Sequence, residues 1–143
     1  MLDLDLGHIP APPVKKDFAI GVIGAGFIVK DIQLVAYRQA GYNVQAIASD
    51  VPENSRAVAA AHGIPKVYDT PADLLADKSI EILDIAVPPH AQLAILKDAV
   101  SHSGHLKGIL AQKPLAMNYR EAKQAAEMCS KAGIALAVNQ NMR

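Results

Sequence analysis

Short apolar runs and amphipathic stretches alternate along most of this chain, punctuated by Gly and Pro. The run from Phe18 to Ile23 gives way to Gly24-Ala25-Gly26 and then to Ile28, Ile32, Val35 and Ala36 at helical spacing, closed by Ala40-Gly41. That order predicts a strand, a tight turn and a helix with a glycine C-cap. Val44 to Ser49 reads as a second strand ending at Asp50, a helix runs from Pro52 to Ala61 and stops at His62-Gly63, and Lys66 to Tyr68 is a short third strand. Thr70-Pro71-Ala72-Asp73 starts a helix, with a hydroxyl cap, Pro at the first position and an acid in the first turn. Ile80 to Val87 is a nearly continuous apolar strand, the pattern of a strand covered by helices on both faces. Pro88-Pro89 ends it, and Leu93, Leu96 and Val100 mark the next helical face. Lys107 to Ala111 is a fifth strand leading to Gln112-Lys113-Pro114. Asn118 and Glu121 form a capping box for a helix ending at Ala132-Gly133, before a sixth strand from Ile134 to Val138.

Strands alternating with helices predict an α/β fold: a single doubly wound, parallel, six-stranded sheet of the Rossmann type over residues 17–143. The expected strand order is 3-2-1-4-5-6, with a ligand crevice at the carboxyl ends of strands 1 and 4. Residues 1–16, with Pro10, Pro12 and Pro13, read as an extended arm before the domain.

Chemistry concentrates at that crevice. Gly24 permits the sharp turn, and Gly26, without a Cβ, lets the backbone approach a pyrophosphate. The unpaired N–H groups of the following helix turn carry a partial positive charge suited to phosphates. Val29 holds the third fingerprint position, which serves helix–strand packing. Asp50 stands where a ribose-binding acid belongs, and its carboxylate would repel a 2′-phosphate. Like charges 4 Å apart cost about 4 kcal/mol at an effective dielectric of 20, more than the ~1.4 kcal/mol a tenfold preference needs. NAD is therefore favoured over NADP. Two alternatives stand beside this: Asp50 as a helix cap boxed with Glu53, and Ser49 with Arg56 as a 2′-phosphate site. Pro88, His90 and Gln92 follow strand 4 beside the switch point, where His90 either donates to a phosphate or nicotinamide group or is an exposed helix-start residue. Lys113 follows strand 5 on the ligand side, placed to hydrogen-bond a substrate hydroxyl or the nicotinamide ribose, or else is a solvated turn lysine. Asn139, Gln140, Asn141 and Arg143 either line the nicotinamide end or begin a linker.

Composition narrows the classes without adding to them. Lys+Arg and Asp+Glu number 14 each, Trp is absent and aromatic residues make up 4%. There is no basic excess or stacking platform for nucleic acid, and no apolar run of membrane-spanning length. The start of the chain lacks the charged and apolar regions of a secretory signal. A single Cys129 rules out an internal disulfide and fits a reducing, cytoplasmic setting; on its helix it reads as a packing residue. The histidines show no metal-ligand spacing, so no metal site is expected.

From Phe18 to Arg143 the sequence resembles the N-terminal domain of the Gfo/Idh/MocA (glucose–fructose oxidoreductase / inositol dehydrogenase) family. GVIGAGFI resembles the family's opening, DIAVPP its strand-4 segment, QKPLA its Glu-Lys-Pro signature and VNQNMR its strand-6 exit. The resemblance implies cofactor contacts from Gly24, Gly26, Phe27, Ile28, Ser49, Asp50, Pro88, His90, Gln92, Gln112 and Lys113, with Lys113 also catalytic. Gln112 replaces the usual Glu, removing a charge beside the lysine, and Gln92 stands where the family often has His. The implied activity is hydride exchange between NAD or NADP and a hydroxyl carbon of a sugar, polyol or related compound. Family members continue into a second α/β domain that supplies substrate contacts, an acid/base histidine and an oligomer interface. This chain is therefore expected to hold the dinucleotide without turnover, as a fragment of a homo-oligomeric enzyme. The alternative is a stand-alone NAD-sensing regulatory module; a scaffold that has lost its ligand is a third reading.

Overall fold

A computed structural model describes residues 13–140. Its strands are β1 (Ile20–Ile23), β2 (Val44–Ala48), β3 (Lys66–Val67), β4 (Ile82–Ile85), β5 (Gly108–Gln112) and β6 (Ala135–Asn139). The helices are α1 (Leu34–Ala40), preceded by a π-helical segment over Ile28–Gln33, then α2 (Pro52–His62), α3 (Pro71–Ala76), α4 (Pro89–Ser101) and α5 (Tyr119–Lys131). A 3₁₀ turn, Ser103–His105, follows α4. The six strands form one parallel sheet in the order β3-β2-β1-β4-β5-β6, the topology the alternating pattern predicts.

The caps act as the sequence suggests. Thr70 Oγ1 accepts the Asp73 N–H at 3.1 Å and Asn118 Oδ1 accepts the Glu121 N–H at 3.0 Å. Glu121 reaches back to the Met117 N–H at 3.1 Å, one residue earlier than the usual box. α3 and α5 thus each start at a capped residue, whereas α2 and α4 start at a proline without a side-chain cap.

Two apolar clusters sandwich the sheet. One gathers Leu74, Leu75, Leu96, Ala99, Ala125 and Cys129 from α3, α4 and α5 over Ile23, Leu83, Ile85 and Ile109. The other sets Val29, Leu34, Val58 and Ala59 over Ile20, Val22 and Ile47. Cys129 is a fully buried packing residue.

The first helix departs from expectation. Its periodicity points Ile28 and Ile32 at the sheet, yet these are 44% and 53% exposed, while Val29 and Gln33 are buried. Ile28–Gln33 is wound as a π-helix, and its inward stripe is Val29 and Gln33, one residue on from the expected one. Val29 consequently does the helix–strand packing of the third fingerprint position.

Of the arm, residues 1–12 lie outside the described residues. Lys16 Nζ donates to the Ala40 carbonyl at 3.0 Å, laying the end of the arm against the close of α1. Among the described residues no helix is long and apolar enough to cross a membrane.

Candidate functional site

The turn after β1 is fixed by geometry that only glycine satisfies. Gly24 has φ +122°, and a Cβ there would stand 2.3 Å from the Ala86 carbonyl oxygen. Its N–H donates to Ala48 O of β2 at 2.8 Å, while the Ala86 N–H donates to Ile23 O at 2.8 Å. The turn is thus tied to the sheet at the β1/β4 switch point. Gly26 differs, because a Cβ on it would meet nothing within 4 Å. Packing does not require glycine at position 26; the open space beside it is what a closely approaching phosphate needs.

Two cavities open on either side of this turn. The smaller, of about 150 Å³, is lined by Gly24, Ser49, Asp50, Pro71, Val87, Pro88 and His90, among others. Ser49 is buried and its hydroxyl donates to Val51 O at 2.8 Å. The 2.7 Å contact with Ser55 Oγ must then be donated by Ser55, since a hydroxyl has one proton. Arg56 is paired with Glu53 at 3.2 Å and with Asp69. Asp50 is exposed and lines the cavity. It does not cap α2, whose N-cap is Val51 without a side-chain bond, and Glu53 faces Arg56 instead. The helix-cap alternative for Asp50 therefore fails. His90 is an exposed first-turn residue of α4 that lines the same cavity as Asp50 and not the one that holds Lys113.

The larger cavity, of about 690 Å³, is lined by Phe27, Ile28, Gln33, Tyr37, Gln112, Lys113 and Asn139, with Ile32, Ala36 and Leu110. Lys113 is exposed. Gln112 Oε1 accepts the Lys113 N–H at 3.0 Å, so the Gln112 side chain braces the backbone of the lysine. The Lys113–Pro114 peptide is cis. Of the polar cluster at the end of β6, Asn139 lines this cavity and Gln140 is exposed. Asn141 and Arg143 lie outside the described residues.

Gln92 is placed differently from the expectation of a cofactor contact. It is fully buried, and its Nε2 donates to Pro114 O at 2.7 Å and to Leu115 O at 3.3 Å. The lining of neither cavity includes it. The reason is register on α4: Gln92 falls on the inward stripe with Leu96 and Ala99, while His90 falls outward.

The structure also brings forward a group that sequence reading passes over. Asp84 sits mid-strand in β4, 1% exposed, and accepts from Tyr37 Oη at 2.7 Å and from Gln33 Nε2 at 3.0 and 3.3 Å. Burial pushes its carboxyl up to about 6, against the opposing pull of the Tyr37 and Gln33 hydrogen bonds. Burial, reinforced by the Asp84 charge, drives the Tyr37 phenol well above its ordinary range. Gln33 Oε1 remains buried without a partner. The signal was an acid in the middle of the apolar stretch ILDIAV, opposite a Gln and a Tyr spaced one turn apart on the first helix. Among the described residues no group of three or more His, Cys, Asp or Glu is placed to hold a metal ion.

A glycine turn at a topological switch point, with a cavity on each side, is a dinucleotide-binding arrangement. Comparison with known proteins agrees. Residues 18–140 match the model of an oxidoreductase family with an NAD-binding Rossmann fold, GFO_IDH_MocA. A D-apiose dehydrogenase from Paraburkholderia graminis is 30% identical over 131 residues, covering 90% of this chain and 33% of that protein. D-xylose 1-dehydrogenase (NADP(+)) 2 from Haloferax volcanii is 31% identical over 117 residues, covering 81% of this chain and 35% of that protein. Among solved structures, an oxidoreductase from Agrobacterium radiobacter in complex with NAD+, L-tartaric acid and magnesium superposes with TM-score 0.81. That structure is 29% identical, with 89% of this chain and 36% of that one covered. The chain thus spans about a third of the length of these relatives. What the Gly24 turn, its flanking cavities and the sequence match describe together is an NAD-binding Rossmann domain, and the chain belongs to the Gfo/Idh/MocA oxidoreductase family.

Proposed function

We propose that this chain is the cofactor-holding part of a dehydrogenase that acts on a hydroxyl carbon of a sugar or polyol, and that it takes NAD in preference to NADP. The observation that carries this reading is the pair of cavities meeting at the Gly24–Phe27 turn, one holding Asp50 and the other Lys113. The residues present fit a dinucleotide: open space at Gly26 for the pyrophosphate and a ribose-side carboxylate at Asp50, with Phe27 and Ile28 on the opposite wall. The preference follows from the same place. Asp50 is exposed, while the groups that would answer a 2′-phosphate are already engaged, Ser49 with Val51 and Ser55, Arg56 with Glu53 and Asp69.

When bound, the nicotinamide ring supplies the carbon that exchanges a hydride with the substrate. The chain's own part is orientation. Pro88 and His90 border the adenosine side, and Gln112 braces the Lys113 backbone. The Lys113 ammonium, with its three donors and no acceptor, can hold the oxygen of a substrate hydroxyl or of the nicotinamide ribose. The sugar dehydrogenases among the relatives support the substrate class. On this reading the remaining substrate-side groups belong to the part of the relatives that this chain does not span, and the chain alone binds without turnover.

Calorimetric titration with NADH, NADPH and ADP-ribose tests it. The expected result is NADH binding in the micromolar-to-millimolar range, with NADPH about tenfold weaker, the ~1.4 kcal/mol that one repelled phosphate readily exceeds. No binding of either dinucleotide overturns the reading; equal affinities overturn only the preference.

A further inference from the structure

We propose that Gln92 is a positioning residue: it holds the loop after β5 so that Lys113 faces the larger cavity, and it acts on the cofactor only through that lysine. The inference rests on the reading of Lys113 given above.

Leu115 packs on the core and Ala116 is buried, but few hydrogen bonds fix the loop between Gln112 and Asn118. Among the described residues, 113–117 make no backbone–backbone hydrogen bond. The Lys113 N–H is held by the adjacent Gln112 side chain, and the Met117 N–H by Glu121 at the far end. Between those points the Pro114 and Leu115 carbonyls are gripped by a single group, the Nε2 of Gln92. That group comes from α4, an element packed on the core through Leu96 and Ala99. A rigid helix therefore sets the place of a loop that carries the exposed lysine.

The rest of the Gln92 side chain points to the same role. It is completely buried, so it offers no surface to a ligand, and its Oε1 is buried without a partner. Only the donor half of the amide is used. An apolar side chain of the same length would fill the space without a stranded acceptor, and Pro114 is exposed, so its carbonyl can turn to water. Loss of the amide is thus expected to leave the fold standing and the loop loose.

The test compares the parent chain with Gln92→Met, which conserves volume, in titrations with NADH and with ADP-ribose, which lacks the nicotinamide. Gln92→Met is expected to weaken NADH about fivefold, the equivalent of one net hydrogen bond, and to leave ADP-ribose affinity unchanged. In a Lys113→Ala background the same substitution should cost nothing further. Gln92→His, whose ring N–H can replace the donor, should recover most of the loss. Unchanged ADP-ribose binding also certifies that each variant is folded. Parental NADH affinity in Gln92→Met overturns the proposal, as does an equal loss for both ligands or a loss that persists in full without Lys113. If Lys113→Ala alone binds NADH as tightly as the parent, the underlying reading of the lysine falls and takes this proposal with it.

Discussion

The two cavities beside the glycine turn differ in how they are built. The smaller is framed by the ends of β1, β2 and β4 and the starts of α3 and α4, and the polar groups near it are already engaged, Ser49 with Val51 and Ser55, Arg56 with Glu53 and Asp69. The larger is walled on one side by a loop and on another by apolar side chains left in the open, Phe27 at 68% exposure and Ile32 at 53%. Element ends make a site whose shape folding determines, whereas a loop and an uncovered face make one whose shape depends on braces. On the proposed reading, the adenosine side is the one built from element ends. The other is bordered by Gln112, which holds the Lys113 N–H, and by Gln33 and Tyr37, which are bonded to Asp84 behind them.

The sharpest way to break the comparison is at the turn that both cavities share. Gly24→Ala forces a Cβ into the Ala86 carbonyl at a positive φ, which should cost about 3 kcal/mol or more and be read as loss of the cooperative urea transition. Gly26→Ala, projecting into open space, should stay within about 1 kcal/mol of the parent in stability yet weaken both NADH and ADP-ribose. Equal destabilisation by the two substitutions would mean that the turn does not divide the labour in this way.

Next in size is the buried Asp84 carboxyl, bonded to Gln33 and Tyr37 of the larger cavity's lining. A carboxyl whose pKa is higher folded than unfolded holds its proton more tightly in the folded state. With Asp84 at about 6 against an ordinary 3.8, that contribution is fully present below about pH 4 and is lost as the pH rises through 6. It amounts to something on the order of 3 kcal/mol. In Asp84→Asn the amide can donate to the orphaned Gln33 Oε1 while its oxygen accepts from Tyr37. The variant should therefore match or exceed the parent at pH 7.5 and lose its advantage at pH 4.5. Urea unfolding at the two values decides, and identical pH profiles for both proteins would remove Asp84 as the cause.

Smaller effects sharpen the contrast between the two ends. Asp50→Asn should narrow the gap between NADH and NADPH by about tenfold, through tighter NADPH rather than weaker NADH, since one repulsive charge is removed. Lys113→Ala should weaken NADH about fivefold and leave ADP-ribose alone, the reverse selectivity of a change on the adenosine side.

Much of this was legible in the chain itself. Gly and Pro punctuate the apolar runs so clearly that all six strands and their order follow from pattern and handedness, and the Gly24 turn and the placement of Asp50 and Lys113 at the crevice follow with them. What escaped depends on tertiary pairing. A helical period of 3.6 puts Ile28 and Ile32 inward, but the π-helical winding that brings Gln33 onto Asp84 cannot be read from spacing. Asp84 itself was hidden by the apolar residues around it. Ser49 and Gln92 stand near the crevice in sequence, yet their side chains are turned to Ser55 and to the 114–115 carbonyls. Position along a strand or helix names the neighbourhood, and only packing says which way the group faces.

Because Gly24 donates to Ala48 of β2 and stands against Ala86 beyond β4, the phosphate turn cannot open without disturbing the middle of the sheet. A ligand seated there therefore binds the folded sheet and not the unfolded chain. Occupancy should accordingly register as a shift of the whole melting transition, by about 2.7 kcal/mol at a ligand concentration a hundred times Kd. The turn therefore makes the melting temperature a readout of cofactor identity, available without any catalytic assay.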